Sequence, residues 1–292
     1  MAILLDHTFQ IVALGSGMLG LISGVLGTFA VLRKESLLGE GVSHSALPGV
    51  VLAFLLTGVR QTEVLLLGAA ATGLLAVFFI TLIVKYSKLK FDSALALIMS
   101  VFFGFGLLLL THAQRIPTAS QAGLSRFIYG QAAALLGRDI HLLLWVSGGI
   151  LLLVFLFWKE FKVFSFDPEY ARVIGIPTVR IHVLLSLLIV TAIIVGLQTV
   201  GVVLMSSMLI APAVAARQWT NRLGTMTLLA ALFGIISGVV GTFLSSTLER
   251  MPTGPAIVVI ATSIALISLL VSPNRGILQG LLKRSRLRKE GI

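Results

Sequence analysis

The 292-residue chain contains no cysteine, which excludes a disulfide framework, a thiolate metal site and covalent haem attachment. Charge is equally scarce. Only 11% of residues are Asp, Glu, Lys or Arg, against about 25% in an ordinary soluble protein, so little polar surface is available for a water-exposed domain. No G-x-x-x-x-G-K-[ST] phosphate loop and no H-E-x-x-H pair occurs, so the chain carries neither a nucleotide-hydrolysing loop nor a zinc-protease helix. The first ten residues, MAILLDHTFQ, lack a basic leader and include Asp6, and so do not read as a cleavable signal peptide.

What fills the chain is apolar. Hydrophobic residues make up 57% and the mean hydropathy is +1.06, which is the composition of a protein that crosses a membrane many times. Apolar runs near the roughly 20 residues a bilayer demands fall at 10–32, 41–58, 62–84, 92–111, 140–158, 181–199, 200–216, 223–246 and 255–272. The sixth and seventh are almost continuous around Gln198-Thr199-Val200-Gly201, so the expectation is an all-α polytopic fold with eight or nine spans. A single transmembrane domain then covers 1–275, and 276–292 forms a basic tail.

The net charge of +11 is arranged by loop. Seventeen Lys and Arg fall in one set of loops (33–34, 85–90, 159–180, 217–222 and from Arg275 onward), and the other set holds Arg60, Arg115, Arg126, Arg138 and Arg250. The positive-inside rule puts the richer set in the cytoplasm, giving an N-out, C-in orientation. That pattern argues against nucleic acid as a partner, and the KRSRLRK tail suits anionic lipid headgroups.

The segment from Arg33 to Gly49 places Glu40 and His44 four residues apart at the mouth of the second span. Residues i and i+4 share a helix face, so one oxygen and one nitrogen are offered to the same point. Ionisable groups in a bilayer are costly and therefore either pair off or serve a permeation path. A hard oxygen beside an imidazole suits manganese, zinc or ferrous iron. From spacing alone a second reading stands, in which Glu40 favours a helix N-terminus and His44 is a satisfied core histidine.

Other features have structural readings. GLISGVLGTF (20–29) and GIISGVVGTF (234–243) match at eight of ten positions, a spacing of small residues that lets helices approach closely. Ser43-His44-x-x-x-Pro48 echoes Ser207-Met208-x-x-x-Pro212, and proline-interrupted helices in opposed halves point to a central site. Met208 and Met205 are thus possible path residues, with core packing the plainer reading. His112, His141 and His182 fall at span ends, where solvated roles dominate, and Asp92 is placed to cap its helix. Glu63 and Glu249 fall on the external side, and Arg138-Asp139 reads as a local pair. In 161–180, Asp167 or Ser165 caps a short helix at about 168–174, Pro168 suits its first position, Glu169 favours its positive end, and Gly175 stops it.

With these residues in view, the chain resembles the manganese/zinc permease family of ATP-binding-cassette importers over about 10–275. The resemblance rests on R-K-E-S-L-L-G-E-G-V-S-H-S-A-L-P-G-V (33–50), D-P-E-Y-A-R-V-I-G-I-P (167–177), T-V-G-V-V-L-M-S-S-M-L-I-A-P-A-V-A-A (199–216) and P-T-G-P (252–255). It implies a permease subunit of the bacterial inner membrane, a second permease subunit (identical or related), a cytoplasmic ATPase dimer and an extracytoplasmic metal-binding protein. It implies no enzyme activity in this chain and no permanently bound cofactor, only a transported divalent ion. The acid-x-x-x-His pair of the family's metal path maps onto Glu40 and His44, where the family more often has Asp at the first position. The family's ATPase-coupling helix maps onto Asp167, Glu169, Ala171 and Gly175. The competing expectations are a permease for siderophore or cobalamin chelates, which needs a wider path without an inward carboxylate–imidazole pair, and an ATPase-independent secondary transporter, which needs more intramembrane acids.

Overall fold

The computed structural model describes residues 7–58, 61–115, 137–197, 200–248, 251–273 and 276–279. Among these, every regular element is helical: α1 (His7–Leu32), α2 (Leu38–Ser45), α3 (Leu47–Thr57), α4 (Thr62–Tyr86), α5 (Phe91–Ala113), α6 (Gly137–Leu156), α7 (Trp158–Phe166), α8 (Pro168–Val173), α9 (Thr178–Leu197), α10 (Val202–Trp219), α11 (Leu223–Thr247) and α12 (Thr253–Val271). A bilayer leaves no water to satisfy a bare backbone, and a helix meets that demand within one segment. Counting α2–α3 as one rod, eight described helices are long and apolar enough to cross. Arg60, Arg126, Glu249, Arg250, Gln198-Thr199, Arg275 and the basic tail from 280 lie outside the described residues, as does the Arg138 side chain.

The inner layer is organised by α1. Its glycines meet α11 in antiparallel register: a Cβ on Gly20 would overlap the Gly234 carbonyl, one on Gly24 the Ala230 carbonyl, and one on Gly238 the Ser16 carbonyl. The two matching decapeptides are therefore partners in one contact, meeting at their first glycines. Ser16 Oγ adds hydrogen bonds across it, 3.0 Å to the Gly238 carbonyl and 2.8 Å to Thr242 Oγ1. Between apolar helices in lipid, close packing and such bonds supply the association that water would otherwise drive.

α1 is also antiparallel to α9, since Leu19 lies by Gly196 at one level and Arg33 by His182 at another. α9 and α11 thus run the same way, and α10 returns between them as a ninth rod. The first residues of α1 and the last of α12 consequently lie at opposite ends of the bundle, with Ser272 of α12 donating to the Gln218 carbonyl beside Arg217. At that end the described members of the basic loop set gather: Arg33 and Lys34, Lys85 to Lys90, Lys159 to Arg180, Arg217 and Arg222. α1, α2–α3 and α9 are mostly buried, whereas α4, α5 and α6 turn much of their apolar surface outward.

Three boundaries differ from the sequence expectation. The second span breaks at Ala46, because Pro48 has no N–H to continue the ladder and is accommodated in the first turn of α3. The fifth run breaks at Phe157, whose φ −98° and ψ 23° are not helical, and α7 follows with Phe161 buried against Phe29, ring centroids 5.7 Å apart. Asp92 lies inside the first turn of α5, whose cap position is Lys90, so it favours the helix dipole rather than capping a backbone N–H.

The glycine contact yields a direct test. Gly20→Val or Gly234→Val forces two backbones apart and costs about 1–3 kcal/mol as overpacking, which lowers the thermal midpoint of the purified chain in detergent. Gly104→Ala, whose added Cβ meets no neighbour within 4 Å, leaves it unchanged.

Candidate metal path and coupling surface

α1 ends in a Schellman turn: Lys34 takes a left-handed φ of 60°, its N–H bonds the Val31 carbonyl at 3.2 Å, and the Glu35 N–H bonds the Ala30 carbonyl at 2.9 Å. The chain turns at once into α2, because the Leu38 N–H bonds the Glu35 carbonyl at 3.0 Å. α2 is a half-helix of eight residues wedged among α4, α5, α9 and α10. Small residues allow the wedge. Gly39 fits against Leu209 and Ser206, Gly41 against Leu95, and Val42 against Gly73.

Six of the eight α2 residues are buried; the two left partly open are Glu40 and His44. They lie one turn apart on one face, and the Glu40 carboxylate is near enough to act electrostatically on the imidazole. Glu40 occupies the first turn, where its carboxylate also suits the helix dipole, and His44 the last. The His44 ring stands edge-to-face against Phe103, centroids 4.7 Å apart, which fixes its plane. Its Nδ1 is buried and has no hydrogen-bond partner among the described residues. A buried ring nitrogen without a partner is an exception that needs a reason, and a lone pair kept for a ligand supplies one. Among the described residues no three His, Cys, Asp or Glu come together to hold an ion, so one chain offers two donors rather than a closed set.

Met205 and Met208 are fully buried on α10. Met205 packs its thioether against Gly196 of α9, as a core residue does. Met208 differs in its backbone: Pro212, inside α10, has no N–H to give the Met208 carbonyl. The sequence echo of Pro48 and Pro212 is therefore only partial, one breaking a span and the other lying within an unbroken helix. His182 departs from its expected solvated role, since its Nδ1 accepts from Arg33 Nη2 at 2.9 Å.

The second candidate surface is α8. Asp167 Oδ1 accepts the N–H groups of Glu169 at 3.1 Å and Tyr170 at 2.9 Å, Pro168 follows, and Gly175 at φ +87° ends the turn. The Gly175 and Ile176 N–H groups bond the Arg172 and Ala171 carbonyls, a second Schellman turn. Asp167 and Gly175 thus build the helix, and fully buried Ala171 anchors it on α7 and α9. The large apolar side chains displayed here are Tyr170, Val173 and Ile174, with Val173 84% exposed, beside exposed Glu169 and Arg172. Sequence reasoning missed these three because one turn of helix is too short to carry a readable apolar period.

Residues 6–272 match the model of the ABC 3 transport family. The chain is 50% identical to the zinc transport system membrane protein TroC of Treponema pallidum over 289 residues, covering 98% of this chain and 97% of that one. It is 49% identical to the manganese transport system membrane protein MntC of Bacillus subtilis, covering 96% of this chain and 64% of that relative. Among solved structures, PsaBC from Streptococcus pneumoniae in complex with Fab superposes with a TM-score of 0.83 at 32% identity, covering 95% of this chain and 96% of that one. An all-helical membrane bundle, a half-helix carrying an acid–imidazole pair and a match over nearly the whole length agree: the chain belongs to the ABC 3 transport family.

Proposed function

We propose that a divalent metal ion crosses the membrane between two copies, or two related copies, of this permease, touching Glu40 and His44 on the way. The chain is the permease subunit of an ATP-binding-cassette metal importer and a multi-pass protein of the bacterial inner membrane. The observation that carries the path is the open face of α2, where a carboxylate and an imidazole with an unpartnered Nδ1 stand one turn apart. Two such half-sites about a two-fold axis supply four donors, enough for tetrahedral closure. Zinc or manganese, the ions for which TroC and MntC are named, fits this O/N donor set, as does ferrous iron. Met208, with its freed carbonyl one helix away, is the next candidate along the path.

In this reading the basic end of the bundle is cytoplasmic, giving N-out and C-in, with 1–275 as one membrane domain and 276–292 as a tail against anionic headgroups. ATP is hydrolysed by a partner ATPase dimer that meets α8 at Tyr170, Val173 and Ile174. The ion arrives at the opposite face from an extracytoplasmic metal-binding protein. No covalent step is needed in this chain; the work is a shift of population between inward- and outward-open states.

Replacing both Glu40 and His44 by Ala leaves membrane abundance at the parent level and lowers manganese and zinc uptake at least tenfold. Parental uptake by a well-expressed double variant rules the path out. Glu40→Asp draws the carboxylate back by one methylene and so retains uptake while changing the manganese-to-zinc ratio by several fold, read by competing the two ions in one assay. Val173→Asp places a charge on the displayed face of α8 without touching its caps. It reduces copurification of the ATPase and uncouples hydrolysis from uptake, whereas unchanged coupling places the ATPase elsewhere.

A further inference from the structure

α8 has two flanking segments, and both end on the same side chain. On its N-terminal side, Phe164 of α7 lies under the Arg33 guanidinium, 4.2 Å from carbon to ring centroid. On its C-terminal side, His182 of α9 accepts from Arg33 Nη2 at 2.9 Å. The same guanidinium grips Glu35 bidentately, Nε to Oε2 at 3.1 Å and Nη2 to Oε1 at 2.6 Å. The ion pair is largely buried, with side-chain exposures of 10% and 15%. Glu35 in turn accepts the first N–H of α2 on its own carbonyl, two turns before His44.

We propose that Arg33 is the positioning residue through which α8 acts on the Glu40–His44 helix, its guanidinium clamping the α7 and α9 flanks of α8 to the lead-in of α2. This rests on the transport reading above and names the connection within it. The planar fork is what the geometry requires. Two donors meet a carboxylate, a third meets an imidazole nitrogen and the flat face covers a ring, which a lysine ammonium cannot reproduce. Because arginine only donates, His182 must present Nδ1 as an acceptor here. An apolar contact between α7 and α1 already exists at Phe29 and Phe161. What Arg33 adds is α9 and, through Glu35, the pitch of α2.

The test uses the assembled importer, permease with its ATPase and binding protein, in lipid nanodiscs with manganese(II) as the transported probe. This chain lacks cysteine, so Leu37→Cys and Val179→Cys, both at exposed positions, give one spin-label pair across the clamp in each copy of it, with any cysteines of the partner subunits replaced. In the otherwise parental chain the inter-label distance is narrow and unchanged between nucleotide-free and trapped states. Arg33→Lys and His182→Leu broaden it and raise ATP hydrolysed per ion transported at least fivefold at parental abundance. His182→Asn, whose Oδ1 can take the place of Nδ1, restores both readouts. A parental distance distribution, or a parental ratio, in Arg33→Lys and His182→Leu overturns the proposal. The distance readout needs no transported ion, so failure of the clamp is separable from failure of the metal reading, which shows as absent uptake by the parental complex.

Discussion

The backbone contact of α1 with α11 is the constraint on which the remaining architecture depends. Helices in lipid gain nothing by hiding apolar side chains from one another, so their association rests on close approach and a few internal hydrogen bonds. Gly20 and Gly234 bring two main chains together with nothing between them, and Ser16 and Thr242 pin the same pair one turn away. With α1 held there, its other face meets α9 in antiparallel and α10 in parallel sense, which fixes the directions of the inner helices. The half-helix α2 is possible only because that frame is rigid. An eight-residue helix is marginal by itself, and this one stands because glycines on itself and on its neighbours let four longer helices close around it.

Much of the fold was legible in the sequence, for a physical reason. A bilayer imposes one length and one polarity on each crossing, so apolar runs and basic loops carry the span count and the likeness of the loop faces. The glycine decapeptides were legible as packing devices, though not as partners to each other, since one chain's periodicity does not reveal which rods meet. The cap, proline and glycine of α8 were legible because each answers a local backbone demand. Local signals failed where tertiary packing decides: the break at Ala46, the turn at Phe157, and Asp92, which lies two positions too far along to cap.

The candidate site was legible in its donors but not in its surroundings. An acid and an imidazole at i and i+4 are visible in any helical register. That six of the eight residues around them are buried, leaving these two open, is a property of four distant segments. The same holds for His182. A histidine near a span end has water as its default partner, and only the fold brings Arg33, 149 positions away in sequence, to its Nδ1. Tyr170, Val173 and Ile174 had no sequence signal at all, because their significance lies in remaining uncovered after α7 and α9 take Ala171.

The division of donors bears on how a bacterium keeps its ion gradients intact while the importer is being made. Among the described residues each chain carries an incomplete set, two groups on an open face and no third to join them. On the path proposed above, a freshly inserted subunit waiting for its partners therefore has no closed ring of donors to strip water from an ion. Dehydration of a divalent cation within the bilayer stays prohibitive until a second face arrives. On that path permeability is switched on by assembly itself, and a subunit without its partner conducts no ion.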